Sequence, residues 1–337
     1  MPPVSRIEAT SAVGVCAAGR LHLGFLDPSG SLGRRFGSIG LVVDGFQTEV
    51  AIASAARDEW HADTPSGAAQ LDRAVACVQR LREQCGRVAP LALRLRSALP
   101  VHAGLGSGTQ LALAVGRAFA RWQGLDLPTA TLAAWLGRGQ RSGIGIAGFD
   151  QGGLLVDGGP GADASPAPLL ARLPVPEAWR VVVVLDERVQ GLSGARERQA
   201  IAALPALARP QAAELCHQVL MRVLPSVACA EFAAFAAGVN RVQELLGAHF
   251  APAQGGSAWT SASVGRLLQW VRGHAGDGAA VGQSSWGPTG FAIVPSAAAA
   301  QRLLDAARAA GVIDAALVLR TVAARNRGAT LSGGTAR

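Results

Sequence analysis

Apolar side chains in the first 60 residues fall in β-type runs, at Leu21, Leu23, Phe25 and Leu26 and again over residues 39–43, and residues 48–53 continue the alternation. This spacing predicts an antiparallel sheet. Residues 65–84 switch to helical spacing, residues 91–96 return to strand alternation, and residues 110–123 hold good helix formers without a proline. A further helix is predicted over 128–136. The glycine-rich stretch 137–159 follows it, and the Pro- and Ala-rich stretch 160–176 is the expected domain boundary. Beyond it the pattern predicts a buried strand over 180–186, helices over 211–224 and 230–246, a strand over 286–294, a helix over 297–310 and a last strand over 316–322. The expected organisation is an N-terminal domain over 1–165, a C-terminal domain over 166–325 and a flexible tail over 326–337.

Between the strand at 91–96 and the helix at 110–123 lies a loop with glycines at 104, 106 and 108. Without Cβ atoms there, backbone N–H groups can approach an anion, and the helix start adds unpaired N–H groups and its positive dipole end. A tight turn is the plainer reading of three alternating glycines. The position between strand and helix, and the hydroxyls of Ser107 and Thr109, favour phosphate and a Mg²⁺-bound water. A nucleotide loop of the G-x-x-x-x-G-K type is excluded, because the chain contains no lysine: all 31 basic residues are arginine. The same absence excludes Schiff-base chemistry. The dinucleotide fingerprint is excluded too, since the spacing differs and the loop lies a third of the way into the chain.

Composition narrows the picture further. The chain has 337 residues, 50 % hydrophobic and only 16 % charged, enough for a large core and two domains. The net charge of +8 comes from scattered arginines without interleaved aromatics. That argues against nucleic acid and for small anionic substrates, which arginine grips bidentately. Five cysteines without a C-x-x-C pair indicate neither a zinc ribbon nor a disulfide framework. With no apolar segment of membrane-spanning length and no leader pattern, a cytoplasmic protein without a membrane partner is expected.

Three segments in order resemble the kinase superfamily named for galactokinase, homoserine kinase, mevalonate kinase and phosphomevalonate kinase, the GHMP kinases. They are Ala18-Gly19-Arg20-Leu21-His22-Leu23-Gly24, the loop from Pro100 to Gln110, and Gly282-Gln283-Ser284-Ser285-Trp286-Gly287-Pro288-Thr289-Gly290. The loop carries Gly108-Thr109 where the kinases carry Ser-Ala, and the third segment departs from the kinase sequence. With Gly33-Arg34-Arg35-Phe36-Gly37, the combination resembles one branch that is not a kinase, the β-ribofuranosylaminobenzene 5′-phosphate synthases, over roughly residues 19–320.

The resemblance implies an α+β, two-domain fold of mixed and antiparallel sheets covered by helices. It implies condensation of phosphoribosyl pyrophosphate with para-aminobenzoate or para-hydroxybenzoate, releasing CO₂ and pyrophosphate, in tetrahydromethanopterin biosynthesis. An ATP-dependent small-molecule kinase and a non-catalytic phosphosugar-binding protein are the alternatives. A homodimer is the expected assembly.

Loss of pyrophosphate leaves negative charge on the leaving group, which loop N–H groups, Mg²⁺ and arginines would stabilise. Gly104, Gly106, Ser107, Gly108 and Thr109 are the expected phosphate cradle. Arg20 and His22 alternate with Leu21 and Leu23, so they share one strand face, toward either a cleft or solvent. Arg34 and Arg35 sit between glycines, where a loop could close on the 5′-phosphate. Asp150, after a glycine-rich turn, resembles the superfamily's catalytic or metal-associated acid, with Ser107 as the second metal ligand, although a turn-capping Asp has the same pattern. Gln283, Ser284, Ser285 and Thr289 suit phosphate or ribose hydroxyls. Trp286 stacks on the benzoate or fills the domain interface, and His102 packs or caps the loop.

Overall fold

The computed structural model describes residues 12–161, 165–192 and 194–333. The N-terminal half contains β1 (Val13–Asp27), β2 (Phe36–Ser54), β3 (Glu59–Ala62), α1 (Pro65–Ala68), α2 (Leu71–Cys85), β4 (Leu91–Ser97), α3 (Ser107–Trp122), α4 (Thr129–Trp135), α5 (Ile144–Gln151), β5 (Leu154–Asp157) and β6 (Leu169–Leu173). The C-terminal half contains β7 (Arg180–Asp186), α6 (Gly194–Ala203), α7 (Arg209–Gln218), α8 (Leu224–Cys229), α9 (Phe232–Phe250), α10 (Ala262–Ala275), β8 (Ala280–Gln283), β9 (Gly290–Val294), α11 (Ala297–Ala309), β10 (Leu317–Ala323) and β11 (Thr330–Ser332).

Two sheets carry these elements. The first runs β11-β1-β2-β4-β3, with β5 on β2 and β6 on β5, and the second runs β10-β7-β9-β8. Every pairing is antiparallel except β3 with β4. One core joins the first sheet to the second: Leu21, Leu23, Ile39 and Leu41 pack with Val181, Val183 and Phe291 and with α7 and α9. The other face of the first sheet is covered by α2, α3 and α4. The alternate β7 residues Val182 and Val184 face α10 and α11. Both faces of β7 are therefore apolar, as its unbroken valine run requires.

The structure departs from the periodicity in several places. The helix expected over 65–84 breaks at Gln70, whose buried amide donates to the Leu99 carbonyl at 2.6 Å. The stretch 137–159 is not all loop, for it contains α5 and β5. Gly145 and Gly148 pack there against Thr109 and Val42, where a Cβ would come within 3.1 and 2.8 Å of those side chains. The helix over 211–224 is interrupted after α7 by one wide turn, Val219–Val223, before Pro225, which has no N–H to donate. Residues 286–289 form a turn, and the strand begins at Gly290. α10 and β8 had no counterpart in the pattern.

The domain limits shift as well. β6 completes the first sheet, so the N-terminal domain extends past residue 165 to Leu173. The tail is not free over 326–333: Asn326 exchanges two 2.8 Å hydrogen bonds with Val175, and β11 pairs with β1. Residues 334–337 lie outside the described residues.

Candidate active site

Two irregularities in the β1–β2 pairing flank Arg20-Leu21-His22, one between Ala18 and Arg20 and one between His22 and Gly24. Bulges re-aim side chains. Arg20 and His22 line one cavity while Leu21 and Leu23 are buried in the joint core. The second bulge shifts the parity, so Phe25 follows His22 onto the same side, edge to face at 4.6 Å.

The polar cavity, about 240 Å³, sits at the start of α3, where backbone N–H groups are unpaired. Arg20, Arg138 and Arg141 line it with His102, Gly104 and Thr109. Arg20 donates to the Gly104 carbonyl at 2.7 Å, and its backbone N–H donates to Leu105. Gly106, at φ 78°, lets the Arg20 guanidinium lie 3.3 Å from where its Cβ would be. Gly108 leaves room for Arg73 and Arg138, at 2.9 and 3.4 Å from its own Cβ position. Four arginines thus surround one helix start, an arrangement that favours an anion.

Buried polar atoms without partners point the same way. Among the described residues they include Arg20 Nε, both ring nitrogens of His22, Arg138 Nε and Arg141 Nη1. Burial first, then the charges of Arg20 and Arg141, push the His22 imidazole down to about 3, so it is neutral near pH 7. Burial lowers Arg20 to about 10, which still leaves it charged. Burial, followed by Arg73, lowers His102 as well.

The segment 283–289 closes this cavity from the second domain. Ser284 Oγ donates to the Gly104 carbonyl at 2.7 Å and accepts from the His22 N–H at 2.9 Å, and the Ser285 N–H donates to the His22 carbonyl. The approach is backbone on backbone: a Cβ at Gly104 would lie 2.3 Å from the Ser284 oxygen, and one at Gly287 would lie 2.4 Å from the Ala103 oxygen. Gln283 is saturated by Thr260, Gln254, Gln243 and Ser285, which makes it an organiser of the turn. Thr289 is buried, and its hydroxyl has no partner among the described residues.

A second cavity, about 460 Å³, lies between α9 and α10 over β8. Leu246, Phe250, Trp259, Leu268 and Val281 supply its apolar wall, and it shares His22, Phe25, Ser285 and Trp286 with the first. Trp286 is only 4 % exposed and meets Phe250 edge to face at 4.8 Å. It both fills the interface and faces the cavities.

Three expected residues are elsewhere. Asp150 is exposed and accepts from Thr129 Oγ1 at 2.5 Å, in a shallow depression with Arg117 and Arg121. Arg117 lies about 15 Å along α3 from Ser107. Asp150 and Ser107 therefore cannot share one metal ion. Ser107 itself is buried in the first turn of α3. Arg34 and Arg35 are exposed and bound to the Gly159 and Pro28 carbonyls, because Asp27 gathers the N–H groups of Gly30 and Leu32 and tightens that loop. Neither lines the cleft.

The polar cavity offers few carboxylates for a Mg²⁺ ion among the described residues. Glu197 is the one carboxylate among the described residues lining the polar cavity, and it is paired with Arg141 at 2.7 Å. Among the described residues no cluster of three or more His, Cys, Asp or Glu suits a metal. The pattern had also passed over Arg138 and Arg141, although Gly137-Arg138-Gly139-Gln140-Arg141-Ser142-Gly143 repeats the glycine-flanked arginines seen at 33–37. Buried Asp157 holds that loop by accepting from Ser142 Oγ and from the N–H groups of Gly143 and Ile144.

Residues 72–154 match the family described as GHMP kinases N terminal domain, and residues 239–313 match GHMP kinases C terminal. A β-ribofuranosylphenol 5′-phosphate synthase of Archaeoglobus fulgidus is 34 % identical over 289 residues, which is 82 % of this chain and 86 % of that protein. The chain belongs to the β-ribofuranosylphenol 5′-phosphate synthase family. A synthase of the same name from Methanothermobacter thermautotrophicus is 31 % identical over 66 % of this chain and 73 % of its own length. The phosphomevalonate kinase of Streptococcus pneumoniae shares the fold, with a TM-score of 0.67 at 12 % identity over 93 % of this chain and 99 % of that one. Membership in a synthase family on the GHMP fold makes the chain an enzyme of the α+β class expected from its sequence. No helix among the described residues is long and apolar enough to cross a membrane.

Proposed function

We propose that this synthase transfers a phosphoribosyl group from phosphoribosyl pyrophosphate to a para-substituted benzoate, with loss of CO₂ and pyrophosphate. The observation that carries the reading is the joint between the two cavities, where His22, Phe25, Ser285 and Trp286 line both. An anion on the arginine side and an aromatic ring on the apolar side would meet there.

In this reading the start of α3, with Arg20, Arg73, Arg138 and Arg141, takes the phosphate groups. As the bond from the anomeric carbon to pyrophosphate breaks, its electron pair leaves with the pyrophosphate. Preorganised arginines and N–H groups stabilise that charge without reorganising. The ring carbon bearing the carboxylate forms the new bond to the anomeric carbon. The bond to the carboxylate then breaks, its electrons restore the aromatic ring, and CO₂ departs. No proton transfer is required, which agrees with a neutral His22 that serves as a hydrogen-bond donor. Holding the two reactants in line supplies most of the acceleration. Any Mg²⁺ would travel on the donor's own phosphates, in the pathway to tetrahydromethanopterin that the family resemblance suggests.

The test is incubation with phosphoribosyl pyrophosphate and carboxyl-labelled para-aminobenzoate or para-hydroxybenzoate, with Mg²⁺ and without ATP. Release of labelled CO₂ together with an aryl riboside phosphate supports the proposal. Turnover that appears only with ATP and leaves the carboxyl label in place would replace it with a kinase.

A further inference from the structure

The cavity between α9 and α10 carries its charged side chains, Glu244 and Arg272, at one end only. Near Trp286 it is bounded by Phe250 and Trp259. At the other end stand Glu244, Gln269 and Arg272, and Glu244 precedes Phe250 by about 9 Å along α9. That separation suits a para-disubstituted benzene ring laid along the helix. Arg272 closes this end by donating to the Asn240 carbonyl at 3.1 Å, with its other nitrogen 3.8 Å from Glu244 Oε2. Arg241 approaches the same Oε2 at 3.2 Å. The shortest contact in each ion pair is to Glu244 Oε2, and the Gln269 amide has no hydrogen-bond partner among the described residues. Glu244 and Gln269 are both exposed, so two oxygen acceptors stand at the solvent-facing end of the slot.

Resting on the proposed arene condensation, we propose that Glu244 and Gln269 select the acceptor by its para substituent, accepting a hydrogen bond from an amino or hydroxyl group. The carboxylate end of the ring then lies at His22, Ser285 and Trp286, next to the phosphoribosyl donor. A para substituent that cannot donate leaves Glu244 without that bond while displacing the water that would otherwise donate to it. The ion pair with Arg272 keeps Glu244 at this end of the slot, while Arg241 meets the same oxygen from outside the cavity.

Calorimetric titration of the full chain with 4-aminobenzoate, 4-hydroxybenzoate and 4-methylbenzoate tests this, because binding is independent of how readily each ring reacts. The native protein should bind both donors about tenfold more tightly than the methyl compound, the range of a hydrogen bond to a charged group. Glu244→Leu combined with Gln269→Leu should reduce that preference to less than about threefold and raise the KM for the arene, with the KM for phosphoribosyl pyrophosphate unchanged. Arg241→Leu, which removes one ion pair of Glu244 and does not line the cavity, should keep the preference. A double variant that still prefers donors as the native protein does would overturn the selection while leaving the condensation intact. Absence of binding by every benzoate to the native protein, together with no CO₂ release, would overturn both.

Discussion

The two cavities meet at four residues and are built on opposite principles. The polar one draws from both domains and depends on close backbone approach: Gly104 and Gly287 let the loop at 102–106 touch the turn at 284–287, and arginines crowd one helix start. The apolar one belongs almost wholly to the C-terminal domain, where two antiparallel helices stand apart over a short strand and leave a slot between them. In the proposed reaction, charge recognition would need a rigid junction of two domains, whereas ring recognition would rest mainly on side-chain packing within one. Substitutions should therefore separate the two substrates cleanly.

The largest effect is expected from Arg20→Leu, which removes a buried cation from the polar cavity and a donor from the Gly104 carbonyl. Turnover should fall about 10²- to 10³-fold, read as labelled CO₂ release, while binding of the arene alone stays close to native. Gly104→Ala attacks the junction itself, since its Cβ would lie 2.3 Å from the Ser284 oxygen at a backbone φ of 85°. Thermal unfolding should show a loss of at least about 1–3 kcal/mol, with affinity for phosphoribosyl pyrophosphate falling more than that for the arene. On the apolar side, Trp286→Leu should raise the KM of the arene about tenfold through lost ring contact. A rise of equal size for the donor would show that the cavities are not separable.

Acid stability provides a subtler test. The folded His22 pKa of about 3 lies below the unfolded value of 6.5, so the unfolded chain binds a proton that the folded one does not. Stability from this group is whole above pH 6.5 and declines as the pH falls toward 3, by about 1.4 kcal/mol per unit. His22→Asn should flatten that slope in melts taken between pH 7 and 4. The smallest effect is expected from Asp150→Asn: turnover within about twofold of native and a stability loss near 1 kcal/mol from the weakened Thr129 contact. A loss of turnover by orders of magnitude there would move the reacting centre out of the cleft described above.

Asp150 shows where a local pattern misleads. A carboxylate after a glycine-rich turn has the look of a catalytic acid, but it sits at the end of α5, and the helix rotation that seats Gly145 on Thr109 and Gly148 on Val42 carries it away from the cleft. Arg34 and Arg141 make the same point as a pair. Both stand in glycine-rich loops, and the carboxylates of Asp27 and Asp157 hold those loops in different places, so that only the second faces the cavity. The slot between α9 and α10 left no trace in the periodicity, because its wall residues look like any amphipathic helix face. Phe25 is a finer case, since alternation from His22 sets it on the other face until a bulge reverses the count.

By itself the sequence determined the two-domain α+β frame, the loop between β4 and α3, and the family. The loop follows from strand and helix period and glycine spacing, whereas the α+β frame and the family follow from the motifs that resemble the GHMP superfamily and its synthase branch. Tertiary structure alone decided which arginines surround the start of α3, that Ser284 and Gly104 lock the domains together, and that an apolar slot opens beside them. Side-chain convergence depends on bulges, on a hydroxyl-to-carbonyl hydrogen bond between residues 180 positions apart, and on which helices fail to close on each other. None of these is encoded in a window of a few residues.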